Sequence, residues 1–111
     1  MKLLIAGSRS ITSFDFSAYV SDDTELIITG GAKGVDTLAE AYARERGIPV
    51  VTVKPAYEKY GRAAPVVRDK EMVEMADAVL VVWDGVSRGS RHTADHARKL
   101  GKELTLVTVG C

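Results

Sequence analysis

A chain of 111 residues has room for a single domain spanning residues 1–111, and its 15 basic and 15 acidic side chains cancel, which argues against non-specific nucleic-acid binding. An ordinary apolar fraction lets a chain of this size bury about two thirds of its unfolded surface. The only cysteine, Cys111, excludes an internal disulfide, and a cytoplasmic location is expected. Met1-Lys2 leads into the short run Leu3–Ala6, so no secretory leader is expected. No apolar run approaches the ~20 residues that span a bilayer, so no membrane partner is expected either.

Leu3–Ala6 reads as the first strand, and Phe14–Val20 as a short helix. Glu25–Thr29 is the second strand, followed by the glycine-rich turn Gly30–Gly34. The helix after Gly34 is the clearest element. Val35, Leu38, Ala39, Tyr42 and Ala43 recur at helical spacing, while Glu40, Arg44 and Glu45 face away. Thr37 and Glu40 have capping-box spacing, and Gly47 with Pro49 stops the helix. Pro49–Val53 is the third strand. Lys54–Ala64, with Pro55, Gly61 and the paired Tyr57 and Tyr60, reads as a functional or partly helical loop. A helix from Pro65 to Ala76 turns Met72, Met75 and Ala76 inward. Ala78–Trp83 is the fourth strand, Ser90–Leu100 a helix with Thr93, Ala94, Ala97 and Leu100 inward, and Leu104–Val109 the fifth strand. The strands are continuous apolar runs rather than alternating ones, and helices separate most of them. That is the pattern of an α/β fold with a parallel sheet covered on both faces.

In such folds ligands bind outside the carboxyl ends of the strands. The loops there, with the adjoining helix starts, carry Arg9, Lys33, Lys54, Lys59, Arg62, Arg68, Arg88 and Arg91, whereas the opposite edge carries Asp22, Asp23, Glu25 and Asp77. A neutral chain is thus polarised, with its positive end over the crevice, where an anion would concentrate. Asp36, Asp69 and Asp84 are the exceptions on the basic edge, suited to hydroxyls or amino groups of a ribose or base.

Four stretches are candidates for ligand contact. Thr29-Gly30-Gly31-Ala32-Lys33-Gly34, with Asp36 beyond it, places outward N–H groups and a helix N-terminus where a phosphate could approach; the alternative is a tight turn only. Gly7-Ser8-Arg9 offers close approach, a hydroxyl and a planar guanidinium, or else a turn with a solvated arginine. Gly85, Ser87, Arg88, Gly89 and Ser90 form a second anion-type turn or an ordinary capped connection, with Trp83 at its start either stacking on a base or packing at the core edge. Arg68 lies four residues before Met72 on the inward stripe, so it reaches the crevice or pairs with Asp69 or Glu71.

His92 and His96 have i,i+4 spacing, but no cysteine or third histidine completes a metal site, and no metal is expected. No Ser/His/Asp triad can be assembled. The Walker A and Gly-x-Gly-x-x-Gly spacings are absent, so nothing indicates a cofactor of those classes and none is expected.

Gly7-Ser8-Arg9, Thr29-Gly30-Gly31-Ala32-Lys33-Gly34-Val35-Asp36, Arg68-x-x-x-Met72 and Trp83-Asp84-Gly85-x-Ser87-Arg88-Gly89-Ser90 together resemble the SLOG superfamily. Its members include the DNA-processing protein A (Smf) group and the LOG-type cytokinin-activating phosphoribohydrolases. The small stand-alone YspA/cpYpsA-related branch is the nearest in pattern. The resemblance covers nearly the whole chain. It implies a Rossmann-like three-layer fold with a parallel five-stranded sheet in the order 3-2-1-4-5, a nucleotide-type ligand, and compatibility with a homodimer. It also implies that Gly30–Gly34 takes a phosphate, with Gly7–Arg9 and Gly85–Ser90 lining the crevice beside it.

Two departures bear on activity. LOG enzymes end their last phosphate turn with Gly-Thr-x-x-Glu, whose glutamate is catalytic; here the turn reads Gly89-Ser90-Arg91-His92-Thr93. The residue after the arginine, typically asparagine in the near branch, is Asp69. The leading expectation is therefore binding of a nucleotide or nucleotide-derived phosphorylated ligand as a sensor or carrier. The alternatives are an N-glycosidic hydrolase in which Asp36, Asp69 or Asp84 replaces the glutamate, and single-stranded DNA binding. The neutral charge and the few aromatic residues disfavour the last of these.

Overall fold

The computed structural model describes residues 1–109; Cys111 lies outside them. The strands are β1 (Lys2–Gly7), β2 (Leu26–Thr29), β3 (Val50–Thr52), β4 (Ala78–Trp83) and β5 (Glu103–Thr108). They form one 5-stranded sheet in the order β3-β2-β1-β4-β5. Every pairing is parallel, with Leu3 opposite Ile27 and Ile5 opposite Leu80. The helices are α1 (Val35–Arg46), the short α2 (Tyr57–Tyr60), α3 (Ala64–Met75) and α4 (Arg88–Lys99), with a 3-10 turn at Gly61–Ala63 before α3. This is an α/β Rossmann-like fold, and strand ends differ from the sequence reading by one residue or so, the usual uncertainty of such ends.

Successive strand residues point to opposite faces, and this divides the core in two. Leu3, Ile5, Ile27, Leu80 and Val82 pack under Val35, Ala39 and Ala43 of α1, together with Ile11 and Phe16. Leu4, Ile28, Val79 and Val81 pack under Met72 and Val73 of α3 and Ala94 and Ala97 of α4. The central strands are therefore apolar on both sides. No helix among the described residues is long and apolar enough to cross a membrane.

Three local expectations are corrected. Phe14–Val20 is a turn, not a helix. Asp15 accepts hydrogen bonds from both the N–H and the hydroxyl of Ser17, and the Phe14 ring sits 4.9 Å from Phe16 and 5.5 Å from Tyr19. A segment this short gains little from helix propagation, and its side-chain contacts decide its shape. The capping box does not form: α1 starts after Gly34, and Thr37, already inside the helix, donates instead to the Ala32 carbonyl at 2.9 Å. Glu40 accepts from the Thr52 hydroxyl. Met75 and Leu100 are exposed, 42% and 43%. The inward stripe of α3 runs Asp69, Met72, Val73, Ala76, and Leu100 lies just past the end of α4.

Candidate functional site

The carboxyl edge of the sheet carries a crevice of about 460 Å³ between the ends of β1, β2 and β4. Its walls come from the loop after β1 (Arg9, Ser10), the turn before α1 with its first residues (Ala32, Asp36), α3 (Arg68, Asp69) and the first turns of α4 with the residue before it (Ser87, Ser90, Thr93).

Two glycines let these segments meet. A Cβ at Gly7 would sit 2.3 Å from the Val82 carbonyl oxygen and 2.6 Å from the Val35 side chain. Gly34 has φ +78°, and a Cβ there would sit 2.3 Å from the Ser8 carbonyl oxygen. Both glycines serve backbone packing between β1, β4 and α1, a role that needs no ligand.

Two backbone donors of the turn between β2 and α1 are satisfied from within the turn. The N–H groups of Gly30 and Ala32 donate to Oδ2 of Asp36, at 2.9 and 3.3 Å. Nη1 of Arg68 donates to the Gly30 carbonyl at 3.0 Å. Asp36 is 5% exposed. Burial pushes its carboxyl up from 3.8 to about 6, against the hydrogen bonds from Ala32 and Gly30 and the charge of Arg68. Nε of Arg68 is buried without a hydrogen-bond partner and lies 3.6 Å from Oδ1 of Asp69, an ion pair beyond hydrogen-bond reach. Arg68 thus both reaches the crevice and pairs with Asp69.

On the other wall a hydroxyl cluster joins the loops after β1 and β4. Ser8 Oγ, buried, accepts from the Asp84 N–H at 2.9 Å and from Ser87 Oγ at 3.2 Å, and lies 3.3 Å from Ser90 Oγ. Asp84 clasps its own loop: Oδ1 accepts from the N–H groups of Val86 and Ser87, and Oδ2 from Ser10 Oγ. Those backbone donors hold its carboxyl down at about 2. Asp69 behaves oppositely. Burial raises it, opposed by Arg68, His92 and Thr93. The Thr93 hydroxyl lies 3.3 Å from Asp69 Oδ2 and 3.1 Å from the Gly89 carbonyl, so one proton serves two acceptors. Two carboxylates of the crevice, Asp36 and Asp69, are thus raised by burial, and the third, Asp84, is lowered by backbone donors.

Of the residues singled out in the sequence, Gly7, Arg9, Ala32, Asp36, Arg68, Asp69, Asp84, Ser87, Gly89 and Ser90 line the crevice. Ser8 stands behind the wall as the hub of the hydroxyl cluster. Thr29 and Gly30 are buried beneath the turn, while Gly31, Lys33, Gly85 and Arg88 are exposed outside the lining, and Gly34 is used in packing. Trp83 does not line the crevice: its indole N–H donates to the Ser87 carbonyl at 2.9 Å and props the loop from behind. Ser10, Pro65 and Met72 are lining residues that were not singled out for ligand contact. Ser10 had a signal, as the residue extending Gly7-Ser8-Arg9, and Met72 had one in its helical register with Arg68. His92 and His96 gather no third ligand; among the described residues no group of three metal-ligating side chains occurs.

The model of the YAcAr family, described as the YspA, cpYpsA-related SLOG family, matches residues 1–60. The chain belongs to this SLOG family. The matched half contains β1, the Ser8-Arg9 loop, the Asp36-filled turn and α1 of the SLOG domain; α3 and α4 lie beyond it. No curated protein and no solved structure matches the chain.

Proposed function

We propose that the crevice binds a nucleotide or a nucleotide-derived phosphorylated ligand, as a sensor or carrier module. The observation that carries this reading is the convergence of donors at one sheet edge. Arg9 and Arg68 share a crevice with the first turn of α4 at Gly89 and Ser90. Guanidinium forks and a helix N-terminus both favour oxyanions. Membership of a SLOG family supports a nucleotide-related function. The test is thermal shift of the purified protein with nucleoside monophosphates, NAD, ADP-ribose and cyclic ADP-ribose, with product chromatography on the same samples. Stabilisation without product is expected. A folded protein with no shift across the panel would remove the reading.

A second reading, N-glycosidic hydrolysis of a nucleoside monophosphate, is favoured by one contact. Thr93, which stands where LOG enzymes carry their glutamate, touches the carboxyl of Asp69. A carboxyl held above its ordinary value in the crevice could give a proton to the leaving base while water adds to the sugar carbon. Release of free base, abolished in Asp69→Asn, would establish this reading. Turnover unchanged in Asp69→Asn would remove Asp69 as the acid.

A further inference from the structure

We infer that the turn between β2 and α1 reads the sugar hydroxyls of the ligand through Asp36, and does not take its phosphate, so that the site prefers ribonucleotides to their deoxy counterparts. This rests on the binding reading above and assigns the ligand's orientation within it.

Two of the backbone donors that a phosphate would use at this turn already have an acceptor. Gly30 and Ala32 donate to the same oxygen, Asp36 Oδ2. Asp36 Oδ2 and Arg68 Nη1 flank one spot beside Gly30, where a Cβ would lie 3.0 Å from the first and 3.1 Å from the second. A phosphate entering here would have to displace a carboxylate held by two N–H groups, or sit against it with like charge.

The second oxygen tells the other half. Asp36 is more than nine-tenths buried, yet it lines the crevice, and Oδ1 has no hydrogen-bond partner among the described residues. Oδ1 keeps some solvent exposure, and the crevice is the cavity that Asp36 lines. An ionised carboxylate only accepts. A fixed, open acceptor in a crevice asks for a donor on the ligand, and a nucleotide offers two kinds, sugar hydroxyls and the amino or ring N–H groups of the base. Arg68 selects between them. Its guanidinium reaches the same spot as Asp36, so the donor that Asp36 reads lies beside the anion that Arg68 attracts. In a nucleotide the groups beside the phosphate are those of the sugar.

The experiment is a calorimetric titration with AMP, UMP, 2′-deoxy-AMP and 3′-deoxy-AMP, on wild type and on Asp36→Asn. The expected result is a preference of about tenfold or more for AMP over at least one deoxy form, since a hydrogen bond to a charged group is lost. UMP, whose base carries a ring N–H in place of the adenine amino group, should bind comparably to AMP, and Asp36→Asn should lose the sugar preference. Equal binding of ribo and deoxy ligands would overturn the inference and leave the binding reading intact. Preference for AMP over UMP without sugar discrimination would assign Asp36 to the base and overturn it as well. Absence of binding by every probe would overturn both. A measurement on wild type alone guards against a misfolded variant. The ratio of AMP to deoxy-AMP affinity, in which the phosphate titration cancels, should shrink between about pH 8 and about pH 5 as Asp36 takes up a proton. A ratio constant over that range would also overturn the inference.

Discussion

Arg68 donates from Nη1 to the carbonyl of Gly30 at 3.0 Å, which ties the start of α3 to the turn after β2, across the end of the sheet. The bond fixes one corner of the guanidinium and leaves Nε buried and without a partner. A buried donor left open is costly unless something supplies an acceptor, and the crevice in front of it is where a ligand would do so.

Replacing Arg68 should therefore affect ligand more than fold. Arg68→Lys keeps the charge but loses the planar fork, and both Arg68→Lys and Arg68→Ala should weaken binding of a phosphorylated ligand by about tenfold or more. Arg68→Ala also leaves the Gly30 carbonyl unpaired, at a cost of about 1–3 kcal/mol in unfolding free energy. Titration calorimetry and urea unfolding on the same samples separate the two effects. Full ligand affinity in Arg68→Ala would place the anion elsewhere.

Asp36 gives the protein an unusual pH dependence. Its folded value of about 6 lies above the ordinary 3.8, so between these pH values the folded state holds a proton that the unfolded state has released. The stabilisation is complete below the unfolded value and is lost as pH rises through the folded one, a swing of about 3 kcal/mol at most. Urea midpoints should fall between about pH 4 and about pH 6 in wild type. In Asp36→Asn the fall should be shallower, with Asp69, which is raised by burial too, responsible for what remains. Parallel profiles for the two proteins would show that the burial of Asp36 is not felt.

The Ser8–Gly34 contact makes a sharper test of the site's scaffold. Gly34→Ala meets both a positive φ and a carbonyl oxygen 2.3 Å from the new Cβ, whereas Gly47→Ala meets a positive φ of +72° in open space. Gly47→Ala should cost about 1 kcal/mol for the backbone conformation alone. Gly34→Ala should cost about 2 kcal/mol or more beyond that, because the β1 loop must move away from α1. Urea denaturation reads both. Equal costs would mean that the two backbones do not approach so closely.

The sheet was legible because its signal is local and redundant. Strands such as Ile27-Ile28 and Ala78–Val82 are apolar on both faces, which only a covered parallel sheet explains, and the family resemblance supplied their order. Arg68 was legible from its register, one turn before Met72. The contact inside the turn at Gly30–Gly34 was not, because the N–H groups of Gly30 and Ala32 look the same from the sequence whether or not the carboxylate of Asp36 accepts from them. Nor could the sequence show that Gly7 and Gly34 answer to Val82 and Ser8, contacts made between segments distant along the chain. For Trp83 both roles stayed open in the sequence for the same reason: an aromatic at a strand end can face the ligand or brace a loop, and the contact with the Ser87 carbonyl is not local in sequence pattern. Met75 and Leu100 followed an apolar periodicity that the helix ends did not bury.

Trp83 yields the last expectation. Its indole N–H holds the Ser87 carbonyl from behind the crevice, while Asp84 holds the N–H of the same residue from within the loop. Trp83→Phe removes the first hold and keeps the second, along with most of the apolar contact at the core edge. Stability should drop by about 1 kcal/mol, the value of one partly buried hydrogen bond. Ser87, freed on one side, no longer fixes the hydroxyl cluster that runs through Ser8 to Ser90, so affinity for a phosphorylated ligand should fall several-fold. A base stacked on the indole predicts a different pattern: the Phe ring would preserve affinity, and Trp83→Leu would abolish it. Comparing the two variants by thermal shift against the same nucleotide decides between a brace and a stacking surface.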